Sequence, residues 1–264
     1  MTSNNKQAIL VVSFGTSYAE TRAKTIDKIE QTIAEMFPAF SIRRAFTSQC
    51  VINILKDRDK LEIDTVSSGL QKLHQEGFRT VVVQPTHVIN GEEYEKLVAF
   101  TEEYRDLFDR LIIGDPLLTS TDDYIQVVSA IMEQFPDLVE DEALVLMGHG
   151  TTHYTNASYA ALDYMFKEQG YKRVFVGTVE AYPAIDVILR HVKNSVVKKV
   201  ILAPLMVVAG DHAINDMAGD EDDSWKSIFL EEGYQVTCVL KGIAEYEGIR
   251  QLYLAHVKEA IAKL

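Results

Sequence analysis

Three short stretches in the second half of the chain hold side chains that bind metals or move protons. They are Gly148-His149-Gly150, Val179-Glu180-Ala181-Tyr182-Pro183 and Gly210-Asp211-His212-Ala213-Ile214-Asn215-Asp216-Met217. Each has an ordinary reading when taken alone. His149, between two glycines that free the backbone to turn, could be satisfied by local hydrogen bonds. Glu180 could cap the helix that follows it, and His212 could be a solvated loop histidine. Together they mean more, because each follows a strand-like run and only the tertiary fold can assemble them. Two imidazoles and one carboxylate suit borderline divalent metals such as Co2+, Fe2+, Ni2+ or Zn2+. Asp211 and Asp216 are near enough in sequence to orient the His212 ring, and His153 is expected in a supporting place beside His149.

The first half carries a different set. Ser13, Gly15, Thr16 and Ser17 offer hydroxyls and amides at a strand-to-helix turn, suited to carboxylate or phosphate groups. Arg43 and Arg44 precede Phe46-Thr47-Ser48, and arginine is the bidentate partner of carboxylates. His87, Glu92 and Glu93 follow a third strand-like run. These residues suggest an anionic organic ligand, with plain surface solvation as the alternative for each arginine. Gly148-His149-Gly150 lacks the spacing of a dinucleotide or phosphate loop. No nucleophile elbow is present, and Asp220-Glu221-Asp222-Asp223 fails the calcium-loop pattern. That acidic run is expected to be a solvated loop in which Asp223 caps a helix.

The elements that must position these groups alternate along the chain. Strands are expected at Ala8–Phe14, Ser41–Phe46, Thr80–Thr86, Leu111–Gly114, Ala143–Met147, Arg173–Val179, Lys199–Met206 and Gln235–Leu240. Several are apolar at consecutive positions, as in a parallel sheet covered on both faces. Helices are expected between them, the first over Ser17–Phe37 with a Ser17-x-x-Glu20 capping box. The alternation predicts an α/β protein. The chain also repeats weakly: Val12-Ser13-Phe14-Gly15-Thr16-Ser17 aligns with Met147-Gly148-His149-Gly150-Thr151-Thr152, and the Pro85–Glu93 stretch with Pro204–His212. The expected architecture is two similar domains, residues 1–137 and 138–264, each a four-stranded parallel sheet flanked by helices, facing across a cleft. Ligands of such sheets bind beyond the strand C-termini, where all these motifs sit.

Composition narrows the function classes. The chain has 264 residues, 47% hydrophobic and 25% charged, and a formal net charge of −13. That charge argues against nucleic acid or an anionic membrane as partner, since both need a basic surface. No apolar run approaches the roughly 18 residues of a membrane span, and no signal peptide is visible. Cys50 and Cys238 are far apart and form no metal knuckle. The expected location is the cytoplasm.

The stretches Leu10–Ser17, Arg44–Ser48, His87–Lys96, Met147–Gly150, Val179–Pro183 and Gly210–Met217 resemble the anaerobic cobalt chelatases, in order and along the whole chain. The resemblance implies the class II chelatase fold and insertion of Co2+ into sirohydrochlorin on the route to cobalamin (vitamin B12). His149, Glu180 and His212 match the metal-binding triad, and His149 also the proton acceptor. The first domain would then bind tetrapyrrole carboxylates through Ser13, Thr16, Arg44, His87 and Glu92, and the second would hold the metal. Co2+ is the substrate metal, sirohydrochlorin the small-molecule partner, and no organic cofactor is expected; a homo-oligomer is compatible. The competing readings are a sirohydrochlorin ferrochelatase, a nickel chelatase, and a non-catalytic metal or tetrapyrrole carrier.

Overall fold

A computed structural model describes residues 6–264. The first sheet holds β1 (Gln7–Ser13), β2 (Ser41–Phe46), β3 (Thr80–Pro85) and β4 (Arg110–Ile113) in the order β2-β1-β3-β4. The second holds β5 (Glu142–Gly148), β6 (Val174–Thr178), β7 (Lys199–Pro204) and β8 (Gln235–Cys238) in the order β6-β5-β7-β8. Every pairing is parallel. The expected α/β class, strand count and parallel sheets are all present, with strand ends shifted by one or two residues.

The central strands are buried on both faces because their side chains alternate between two helix layers. Ala8, Leu10 and Val12 of β1 pack with Val66, Leu70 and Leu73 of α4 (Val66–Gln75). Ala143, Val145 and Met147 of β5 pack with Ile188 and Val192 of α8 (Ile185–Lys193) and with Trp225 and Phe229 of α9 (Trp225–Glu231). The helix expected over Ser17–Phe37 is two, α1 (Ala19–Lys24) and α2 (Ile26–Met36), parted at the buried Thr25. The Ser17 capping box does not form: Tyr18 is the N-cap and no side chain caps the helix. Likewise Ser224, not Asp223, caps α9, accepting from the amide of Ser227 at 3.1 Å. Capping boxes form instead at α4, Thr65 with Ser68, and at α6 (Thr121–Met132), Ser120 with Asp123.

The chain forms two compact units, each with its own sheet, but not divided at residue 137. The first comprises Met1–Thr119 and Arg250–Leu264, the second Ser120–Ile249. Thus α6 belongs to the second unit, where Val127, Val128 and Ile131 are buried. Most of the last helix, α10 (Glu247–Ala262), belongs to the first. There Tyr253 is fully buried and its hydroxyl donates to the carbonyl of Thr86 at 2.7 Å. The Pro136–Glu142 stretch looks like a linker by composition, yet it only joins α6 to β5 inside one unit. No helix among the described residues is long and apolar enough to cross a membrane.

Candidate metal centre

In each unit the chain leaves the first strand for one neighbour and returns on the other side, so the strand order reverses there. This reversal is where open parallel sheets bind ligands. In the second unit it lies between β5 and β7, with β6 on the far side of β5. His149 leaves the end of β5, Glu180 follows β6, and His212 follows β7. The structure brings the three together: one donor atom from each lies within 4.8 Å of the others.

Backbone bonds set this spacing. The amide of Val179 donates to the carbonyl of Gly148 at 3.0 Å, and that of Glu180 to the carbonyl of His149 at 2.9 Å. The parallel ladder is thereby prolonged past the strands and carries His149 and Glu180 side by side. Gly150 then turns with φ +88°, a conformation L side chains rarely adopt. A Cβ there would meet the backbone nitrogen of Ala181 and the Cβ of Thr178, each at 2.9 Å.

The ring nitrogens have distinct partners. His149 Nδ1 lies 2.9 Å from the carbonyl oxygen of Gly150 and 3.6 Å from Glu180 Oε2. A carbonyl only accepts, so Nδ1 carries the proton and Nε2 keeps the lone pair. His212 Nδ1 lies 2.8 Å from Asp216 Oδ2, which again assigns the proton to Nδ1. Its Nε2 faces Glu180 Oε1 at 3.8 Å. Asp216 is brought under the ring by a π-helical turn, Ala213–Met217, that opens directly after His212. Asp211 instead pairs with the Asn215 amide. A carboxylate on the far nitrogen fixes the tautomer and makes the imidazole a better donor.

The centre is open. The His149, Glu180 and His212 side chains are 45%, 53% and 31% exposed. A metal held at about 2.1 Å by each donor needs them no more than about 4.2 Å apart, so the side chains must draw in by some tenths of an ångström. Exposed side chains do this at little cost. Three donors without thiolate, on an open face, form a group that could hold a divalent ion, less tightly than thiolates would.

Two supporting residues carry no signal in the sequence. Tyr159, buried on α7 (Ala157–Glu168), takes up the backbone amides of His149 and Gly150 on its hydroxyl oxygen, and burial raises its pKa. Asn156 accepts from the amide of Thr151 and donates to the carbonyl of Tyr182, tying the His149 loop to the Glu180 loop. Both lie several residues beyond the motifs, in the start of a helix, where nothing in spacing marks them. His153 does not join the centre. Its ring packs on Tyr154 and its Nδ1 contacts the Thr155 hydroxyl at 2.8 Å.

The first unit treats its expected residues differently. Ser13 is buried and its hydroxyl bonds the Thr86 hydroxyl at 2.8 Å. Thr16 is buried and accepts from the Tyr18 amide at 3.2 Å. Arg44 is not a free cation: Nε donates to Glu30 Oε1 at 2.7 Å, Nη2 to Glu30 Oε2 at 2.5 Å, and Nη2 also to Asp27. Burial raises the Glu30 carboxyl pKa while Arg44 pulls it down. Arg43 pairs with Glu76 at 3.0 Å. Both ring nitrogens of His87 are buried without a hydrogen-bond partner, and burial lowers its pKa to about 4. Glu92 is exposed in the first turn of α5 (Glu92–Glu102) and pairs with Lys96 at 2.9 Å.

The architecture is the chelatase fold: SirB from Bacillus subtilis with Fe3+ has a TM-score of 0.67 at 15% identity, covering 98% of this chain and 96% of that one. The sequence carries the assignment further. A sirohydrochlorin cobaltochelatase of Salmonella typhimurium is 45% identical over 256 residues, 97% of both chains. The sirohydrochlorin cobaltochelatase CbiKC of Nitratidesulfovibrio vulgaris is 36% identical over 262 residues, 98% of this chain and 92% of that one. The family model for cobalt chelatase (CbiK) matches residues 7–262, and the chain belongs to that family.

Proposed function

We propose that the protein is a sirohydrochlorin cobaltochelatase, inserting Co2+ into sirohydrochlorin on the way to cobalamin. The observation that carries this reading is an open centre of two imidazoles and one carboxylate in a chain of the cobalt chelatase family. In the reaction Co2+ replaces the two inner N–H protons of the macrocycle, and two protons leave. His149, Glu180 and His212 hold the incoming ion; once it has passed to the macrocycle, the freed His149 lone pair accepts one of those protons and solvent takes the other. Ligand exchange from protein to macrocycle is helped by the absence of thiolates, which would bind the ion more tightly. No organic cofactor is needed by this chemistry.

The first unit is assigned to the organic substrate, and the Ser13–Thr16 and His87–Glu92 segments border the strand reversal of its sheet. Cytoplasmic operation fits two free thiols, Cys50 and Cys238. The test is a multiple-turnover assay with sirohydrochlorin and Co2+, followed by absorbance, with parallel runs in Fe2+ and Ni2+. Fastest turnover with Co2+ is expected. Stoichiometric binding without turnover would make the protein a carrier, and faster iron or nickel insertion would reassign the metal. His149→Ala and His212→Ala should each lower insertion by about a hundredfold or more.

A further inference from the structure

The two units repeat one another down to single hydrogen bonds. In the second, Val179 and Glu180 donate to the carbonyls of Gly148 and His149, and Leu205 to that of Met147. In the first, Thr47 and Ser48 donate to the carbonyls of Ser13 and Phe14, and Thr86 to that of Val12. Beyond the third strand, Leu117 and Leu118 donate to His87 and Val88, as Ile243 and Ala244 do to Met206 and Val207. Gly15 turns with φ +102° where Gly150 turns with φ +88°. The places of His149, Glu180 and His212 are therefore taken in the first unit by Phe14, Ser48 and Glu93. Ser48 is spent as the N-cap of α3 (Gln49–Asp59), and Glu93 pairs with Lys96. Phe14 has no such internal use.

Its exposure inverts the usual order. From Ala8 to Thr16 every residue is buried except Phe14, including the polar Ser13 and Thr16. Phe14, the largest apolar side chain of that run, is 50% exposed. The same pattern marks the second unit, where His149 alone projects from the buried run of residues 143–150. Single exposed apolar side chains are common, but this one stands where the strand order reverses and ligands of such sheets bind, in the place that His149 takes in the second unit.

Resting on the functional reading above, we propose that Phe14 is a substrate-binding residue whose ring packs on the flat face of the tetrapyrrole macrocycle. The chemistry is complementary: the macrocycle presents broad π faces, its carboxylates are at the rim, and an aromatic ring packs on such a face without a charge of its own. The first unit thus uses the position of the metal ligand to hold the organic reactant.

The experiment compares wild type, Phe14→Ala and Phe14→Tyr in the full chain. It measures KM for sirohydrochlorin and kcat with Co2+, the dissociation constant for sirohydrochlorin by fluorescence quenching, and Co2+ binding to the protein alone. Phe14→Ala should raise KM and the sirohydrochlorin dissociation constant about tenfold. It should leave kcat, the cobalt dissociation constant and Tm near wild type, and Phe14→Tyr should restore binding. An unchanged KM and dissociation constant in Phe14→Ala would overturn the proposal, as would a loss that tracks a lowered Tm. If the wild type binds sirohydrochlorin without turnover, the functional reading fails while the binding comparison still decides the role of Phe14. No binding by wild type overturns both.

Discussion

At the residue scale the centre depends on groups that touch no metal. Asp216 fixes the His212 ring by one hydrogen bond of 2.8 Å. Asp216→Asn keeps the shape but replaces a full charge with an amide, so cobalt affinity should fall by about 10- to 100-fold. Equilibrium titration with Co2+ measures this, and a dissociation constant within twofold of wild type would remove Asp216 from the site. Gly150 is the second such group. Gly150→Ala would force a methyl group onto the backbone of Ala181 in a conformation that alanine disfavours. A loss of about 2 kcal/mol is expected in urea unfolding, together with impaired insertion. The clustering of His149, Glu180 and His212 was legible because the first two stand one and two positions past a strand end and His212 lies in the loop that follows the third strand. Its supports were not, since Tyr159 and Asn156 reach back from a helix start that obeys no motif.

At the element scale the structure replaces one expectation with another. Arg44 reads in sequence as a carboxylate clamp for substrate, but α2 places Asp27 and Glu30 one turn apart on the face that meets β2. The arginine ties a helix to a strand. Arg44→Ala should therefore cost about 2 kcal/mol of stability, because Glu30 is left mostly buried and unpaired. Chemical denaturation reads this directly, and a variant of wild-type stability with weakened sirohydrochlorin binding would return Arg44 to the substrate site. Sequence could not show the pairing, because acids 14 and 17 residues away in a charged helix look like a solvated face. The strands were easier to read, since unbroken apolar runs such as Ala8–Val12 have no other stable environment. The break at Thr25 was hidden because periodic apolar positions continue across it.

At the scale of the whole molecule, pH acts on the first unit through His87. Its pKa falls from 6.5 to about 4 because burial disfavours the charged ring, while Glu93 opposes the shift. The unfolded chain then binds a proton that the folded chain refuses, so stability should drop as pH falls from about 6.5 to 4. The loss over that window is about 3 kcal/mol. His87→Leu should flatten this limb in a series of denaturation curves, and an unaltered limb would place the titrating group elsewhere. The net charge of −13 suits attraction of a metal cation. It opposes a substrate with many carboxylates. With Arg43 and Arg44 both engaged internally, this makes an apolar hold on the macrocycle more valuable. The domain division escaped the sequence because one crossing between units, at residues 249 and 250, lies inside the unbroken helix α10. Gly248 stands just before it, but the helix runs through that glycine without a break.

That crossing has a consequence for the order in which the protein is made. The first unit lacks Tyr253 and its bond to Thr86 until residues 250–264 have been synthesised, whereas the unit with the metal centre is a single uninterrupted stretch of chain. On the ribosome, where domains fold as their sequences emerge, the later stretch completes itself before the earlier one can. The first sheet, begun first, waits for the last helix, so a chain stopped short of its end would carry a finished second unit and an unfinished first.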